Sequence, residues 1–311
     1  MLIGIQERSA HRLVYRNKLR TFALGIEKLG DQAKLLVDKL PKPNKYDAAV
    51  IYGSYKEYRT APHHRVKRAI AEDFIKHGKH YIQFETPVIG RSAKSIDHGY
   101  IRVGVDGFLW DTTKWGFDYI DESRAEKVFT DTGYDIDQQW KTKGDHVLVA
   151  LQNPGDASLR GTDIMVWGLD TVIKLRRYTD RPIIVRPHPL PRKGQQRYYN
   201  EMNAMKNVTV VKNELPSNLR PLEKDFNDAW CVVTFASGSA VDAVLAGIPS
   251  IACDSGNMAW EVSSHLLSEV ENPYRGSRKD WINKIVHCQF SVKELEDGTC
   301  WEHVRKTIST P

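Results

Sequence analysis

The sequence predicts an α/β protein of two domains, each built on a parallel sheet. Two observations carry this. Short apolar runs of strand length alternate with helical stretches in both halves, the order that crossover connections between parallel strands require. The 311 residues also suffice for about two domains.

In the N-terminal half, residues 1–6 read as a strand. A helical pattern follows over 10–40, with a break at Gly30. Residues 45–53 hold the apolar run from Tyr46 to Tyr52, a buried strand closed by Gly53. Pro62 opens a helix to Ile75 that Gly78 ends, and 80–85 form a strand stopped by Thr86-Pro87. Residues 100–108 read as a strand and turn. The polar stretch 135–145 places the domain junction, giving an N-terminal domain over 1–140. In the second domain, 141–275, strands are predicted at 146–151, 182–186, 208–212, 230–235 and 250–254. Helices are predicted at 167–178 and 239–246, the latter capped by Gly247. The last segment, 276–311, reads as two amphipathic helices around Trp281 and Trp301.

Composition narrows the function classes. Net charge is +6 with a pI near 9.0, which favours an anionic partner. Charges at Glu7, Arg8, Arg12 and Arg16 follow the short apolar start at once, so no signal peptide is expected. No run of about 18 apolar residues occurs, so no membrane span is expected. Cys231, Cys253, Cys288 and Cys300 form no CxxC pair, reading as reduced thiols in a cytoplasmic protein without a metal site.

Three segments carry chemistry. A buried strand runs into Ala236-Ser237-Gly238-Ser239 and then a helix. Small residues there admit a ligand to the backbone N–H groups, and a helix start favours an anion. The same residues also suit a plain helix cap. Neither GxGxxG nor GxxxxGK[ST] is present, which argues against NAD and P-loop ATP chemistry. In Arg186-Pro187-His188-Pro189, two prolines hold Arg186 and His188 just past a strand end, where ligands gather in open α/β sheets. Gln152 to Ser158, with Asp156 between, follows a third strand.

Taken together, these three segments resemble the HP and serine motifs of bacterial capsule-type glycosyltransferases with a GT-B fold, such as capsular Kdo, sialyl and polyol-phosphate transferases. The resemblance covers roughly residues 145–260. It implies two Rossmann-like domains facing a cleft and a nucleotide-sugar donor on the C-terminal one. It further implies that His188, Ser237 and Ser239 contact the donor phosphates, with Gln152, Asp156, Ser158, Arg186 and Gly238 completing the donor site. The tail, with Trp281, Cys288-Gln289-Phe290-Ser291, Glu294, Gly298 and Trp301, is similar to the end of phage and prophage glycosyltransferase-like proteins. In GT-B enzymes this last segment crosses back to the N-terminal domain.

The N-terminal domain is then the acceptor side. Glu85, at a strand end, is the candidate general base, with Asp106 and Asp111 as rivals. His188 is the second catalytic candidate. Arg12, Arg16 and Arg20 recur at four-residue spacing on one helix face, and Arg65, Lys67 and Arg68 cluster beside His63 and His64. Either group can hold nucleic-acid phosphates, or simply form a solvated face. The expected donor is a UDP-sugar, with a CMP- or CDP-linked sugar as the alternative. The expected acceptor is a hydroxymethylcytosine or hydroxymethyluracil in phage DNA. The alternatives are a capsule or lipopolysaccharide saccharide, a GT-B-like sugar-nucleotide epimerase, and a DNA-binding module without activity.

Overall fold

The computed structural model describes residues 1–56, 61–90, 99–189, 194–211 and 222–309. The chain divides into two compact units: Met1–Gly133 with Ile282–Pro311, and Tyr134–Trp281.

The first unit carries a sheet in the order β11-β5-β4-β3-β1-β2. Its strands are β1 (Leu2–Glu7), β2 (Gln32–Val37), β3 (Ala48–Tyr52), β4 (His80–Glu85), β5 (Ile101–Val105) and β11 (Gln289–Phe290). β2, β1, β3 and β4 run parallel, β5 is antiparallel to β4, and β11 is antiparallel to β5. Helix α1 (Leu13–Lys28) buries Leu19, Phe22, Ala23 and Ile26, the spacing of one helical face, on the same core as Ile3, Ile5, Ile82 and Phe84. Helix α2 (Pro62–Lys76) covers the other face with Ile70, Ala71 and Phe74.

The long helix expected over 10–40 is not formed. α1 stops at Lys28, and Gly30, at φ +83°, turns the chain into β2. Gly30 N donates to Glu27 O and Asp31 N to Ile26 O, the paired bonds of a Schellman ending. β2 is an edge strand in which Leu36 alone is buried, so its apolar alternation is weak in the sequence. The tail also differs from two helices. Two residues of strand β11 interrupt it, and Ser291 and Glu294 then form a capping box that restarts the helix. This tail is tied into the first unit by Arg124, whose guanidinium pairs with the buried Glu294 at 2.9 Å and donates to the main chain of Gln289.

The second unit holds an all-parallel sheet, β10-β9-β6-β7-β8. The strands are β6 (His146–Ala150), β7 (Ile183–Arg186), β8 (Val208–Val210), β9 (Ala229–Thr234) and β10 (Ser250–Ala252). Val147, Val149, Ile183, Val185 and Val233 pack on one face, and Leu148, Ala150 and Val232 on the other. Burial on both faces explains why these strands read as continuous apolar runs.

Candidate functional site: two strand edges

In a parallel sheet every strand ends at the same edge, and ligands collect where the strand order reverses. In the second unit the chain starts at β6, moves outward through β7 and β8, and returns through β9 to β10. The reversal therefore lies between β6 and β9. The loops after those two strands are joined there by one buried side chain. Gln152 is 7% exposed; its Oε1 accepts from Ala236 N at 2.8 Å and its Nε2 donates to Ser158 Oγ at 2.7 Å. Ser158 Oγ in turn donates to Asp156 Oδ1 at 2.9 Å. Ser239 Oγ donates to Ser237 Oγ at 2.9 Å, and Gly238 lies between them at the start of helix Ser239–Leu245. Asn257, fully buried in the loop after β10, donates to Phe235 O and Ser237 O and so supports the serine turn from beneath.

His188 follows Pro187 just beyond β7 and is half-buried. Arg186, the last residue of β7, pairs with the fully buried Asp225 of helix Leu222–Phe226. Its guanidinium is thus engaged inside the fold. Gln152, Asp156, Ser158, Ser237, Gly238 and Ser239 are brought together along the reversal. Sequence reasoning passed over Asn257 and Asp225. The usable signal for Asn257 was its place after a fourth strand of the same sheet.

In the first unit the reversal lies between β1 and β3. β1 ends on Glu7, whose side chain is wholly buried and held by Arg16 Nε at 2.8 Å and by Arg20 Nε and Nη2 at 3.1 and 3.0 Å. Burial pushes this carboxyl up, but the hydrogen bonds and charges of Arg20 and Arg16 outweigh it and leave the carboxyl below its ordinary range. Two arginines of the expected phosphate stripe are therefore partners of Glu7. Arg12 lies over the Tyr15 ring, which stacks on Tyr52 at 4.5 Å. On α2, Arg65 is exposed, Arg68 stands 3.7 Å from Glu72, and Lys67 turns inward.

Glu85 ends β4. Its Oε2 accepts from Ser54 N at 2.7 Å and its Oε1 from Thr86 N at 3.0 Å. Each oxygen keeps a lone pair for a further donor. Asp106 lies at the opposite end of the sheet, because β5 runs antiparallel. There it accepts from His80 Nδ1 at 2.7 Å and Tyr81 N at 3.1 Å. Asp111 sits in the exposed turn after β5, at that same far end. Beside the Tyr52 ring, Arg8 N donates to His11 Nδ1 at 3.4 Å, which leaves the proton of the neutral ring on Nε2. Burial, then the charges of Arg8 and Lys67, lower the His11 pKa to about 4. No group of three or more His, Cys, Asp or Glu is placed to hold a metal ion among the described residues. Among them, too, no helix is long and apolar enough to cross a membrane.

Two solved structures follow this chain over nearly its whole length. One, a β-Kdo 2,7 transferase region of KpsC from Thermosulfurimonas dismutans, has a TM-score of 0.53 at 13% identity and covers 97% of this chain and 99% of its own. The other, the β-Kdo 2,4 transferase of the same KpsC, has a TM-score of 0.51 at 16% identity, covering 92% and 98%. The fold is GT-B. No protein-family model and no curated sequence matches the chain. The GT-B pattern accounts for the two Rossmann-like sheets, each with its own reversal and its own set of loops beyond the strand ends.

Proposed function

We propose that this GT-B protein is a nucleotide-sugar-dependent glycosyltransferase. The second unit binds the donor and the first receives the acceptor hydroxyl. One observation carries the reading: a buried amide, Gln152, joins the loops after β6 and β9 at the reversal of an all-parallel sheet, beside the serine turn and the HP segment. That edge offers neutral donors without a carboxylate in the serine turn itself, which suits the phosphates of a UDP-, CMP- or CDP-linked sugar. His188 would donate to the leaving phosphate. Glu85 would take the proton of the acceptor hydroxyl as its oxygen attacks the anomeric carbon and the nucleotide leaves with the bonding electrons.

A saccharide is the better acceptor reading than DNA. The arginine stripe that pointed to DNA is divided, since Arg16 and Arg20 are held by Glu7. The two KpsC structures of like fold are named as β-Kdo transferases, which supports a saccharide reading. The test offers a panel of nucleotide sugars with oligosaccharide acceptors and with hydroxymethylcytosine or hydroxymethyluracil DNA. Transfer to saccharide is expected. Transfer to DNA alone would overturn the saccharide reading, and no nucleotide binding by calorimetry would overturn the function.

A further inference from the structure

Lys67 is a buried ammonium ion that forms no direct ion pair among the described residues. It is 7% exposed. Its Nζ donates to Ser54 O at 2.7 Å and to Tyr52 O at 3.4 Å. A Cβ on Gly53 would stand 3.2 Å from that nitrogen, so the chain passes close beneath it. Among the described residues no carboxylate pairs with it directly. Glu7 is taken by two arginines, and Lys67 Nζ is bonded to carbonyls while the Glu85 oxygens accept from Ser54 N and Thr86 N. Carbonyl dipoles and the more distant charge of Glu85 compensate only part of the burial, and the Lys67 pKa falls to about 8. Arg8 stands within electrostatic reach of Lys67, and His63 within reach of Arg8, Lys56 and Lys67. Below this edge, Gln6 Oε1 and Gln83 Nε2 are buried with no partner among the described residues. Both alternate with Ile5, Ile82 and Phe84, which face α1, and so lie on the α2 side with Lys67.

We propose that this edge of the first unit is an oxyanion site, with Lys67 at its base and Arg8 and His63 at its rim, taking a carboxylate or phosphate group. An oxyanion is the ligand that supplies the charge Lys67 lacks, and Gln83 Nε2 adds a neutral donor on the same side. In the proposed transfer it anchors an acidic acceptor; that role rests on the proposed function, whereas the anion chemistry does not.

Calorimetric titration of the full chain with inorganic phosphate, glucuronate and glucose tests it. Saturable binding of phosphate or of glucuronate is expected, whichever binds identifying the oxyanion, and none of glucose. Lys67→Met should weaken that binding about tenfold or more, because a hydrogen bond to a charged group is lost. The variant should melt no lower than the parent, since the unpaired charge goes with the side chain. Arg8→Ala, on the half-buried rim, is the second variant and should weaken binding by a smaller factor. Absence of binding by both anions, equal binding of glucose, or an affinity that both variants retain overturns the site. Anion binding by a protein that transfers no sugar would remove the proposed function and leave the site. Transfer without anion binding would do the reverse.

Discussion

At the strand edge of the first unit, Glu7 holds two guanidiniums, Lys67 is buried against main-chain carbonyls, and Glu85 brackets the turn after β3. At the edge of the second unit, Gln152, Ser158, Ser239 and Asn257 knit the loops after β6, β9 and β10 with neutral amides and hydroxyls. Both edges sit where a strand order reverses, yet Glu7, Lys67 and Glu85 put charge at the first, whereas amides and hydroxyls join the loops of the second, with Asp156 beside Ser158. In the proposed function topology would put a site at each edge, and side-chain chemistry would divide the labour between them. Neutral, mutually hydrogen-bonded donors are fixed in advance and change little with pH. Ionic groups can accept protons or hold an anion, at a cost in desolvation.

The largest expected effect separates the two edges kinetically. Glu85→Gln should cut turnover on the order of 10²–10⁴-fold, the usual worth of a general base, while nucleotide affinity in the second unit stays unchanged. Initial rates beside calorimetry check this, and near-normal turnover would remove Glu85 as the base. The first unit also holds the pair Arg124–Glu294, and the second the pair Arg186–Asp225. Arg124→Met removes the bidentate partner of Glu294 but leaves Lys127 Nζ at 3.2 Å and the Ser291 donors, and should cost about 1.5–3 kcal/mol of stability in denaturant unfolding. If Arg186→Met gives a similar loss, with donor affinity kept, then Arg186 serves the fold rather than the ligand.

A smaller effect probes the neutral edge. Gln152→Ala leaves Ala236 N without its acceptor and should cost about 1–3 kcal/mol, read as weaker nucleotide binding with unchanged affinity for any ligand of the first unit. His188→Ala and Ser239→Ala should weaken the same binding. Unchanged nucleotide affinity in all three would locate the donor elsewhere.

The smallest effect is in pH. The His11 pKa falls from 6.5 to about 4, so between those values the unfolded chain binds more protons than the folded one. Stability is therefore lost as pH drops through that window. Lys67 falls from 10.5 to about 8, and by the same sign stability should rise as pH increases from about 8 to 10.5. Melting temperatures across pH should show both slopes; His11→Phe should flatten the acidic one and Lys67→Met the alkaline one. Unaltered slopes would mean that neither group is buried as charged chemistry requires.

Much of the second unit was legible in the sequence because its physics is local. Strands buried on both faces announce themselves as apolar runs, and every loop after a parallel strand lands on one edge, so Gln152, His188 and Ser237 could be grouped without coordinates. The first unit was less legible where its signals are weak or distant. β2 lies at a sheet edge and lacks a buried alternation, so it read as more helix. β11 is two residues long and exists only because β5 offers it a partner. The four-residue spacing of Arg12, Arg16 and Arg20 determined that they share a face, but not what that face meets; Glu7, at the end of β1, takes two of them. Likewise the cluster on α2 reads as one basic patch, although helix rotation sends Lys67 inward and leaves Arg65 in water. Periodicity along a chain determines which residues lie together on an element. Which charge is paired, buried or left without a counter-ion depends on what packs against that element, and that is decided only by the tertiary fold.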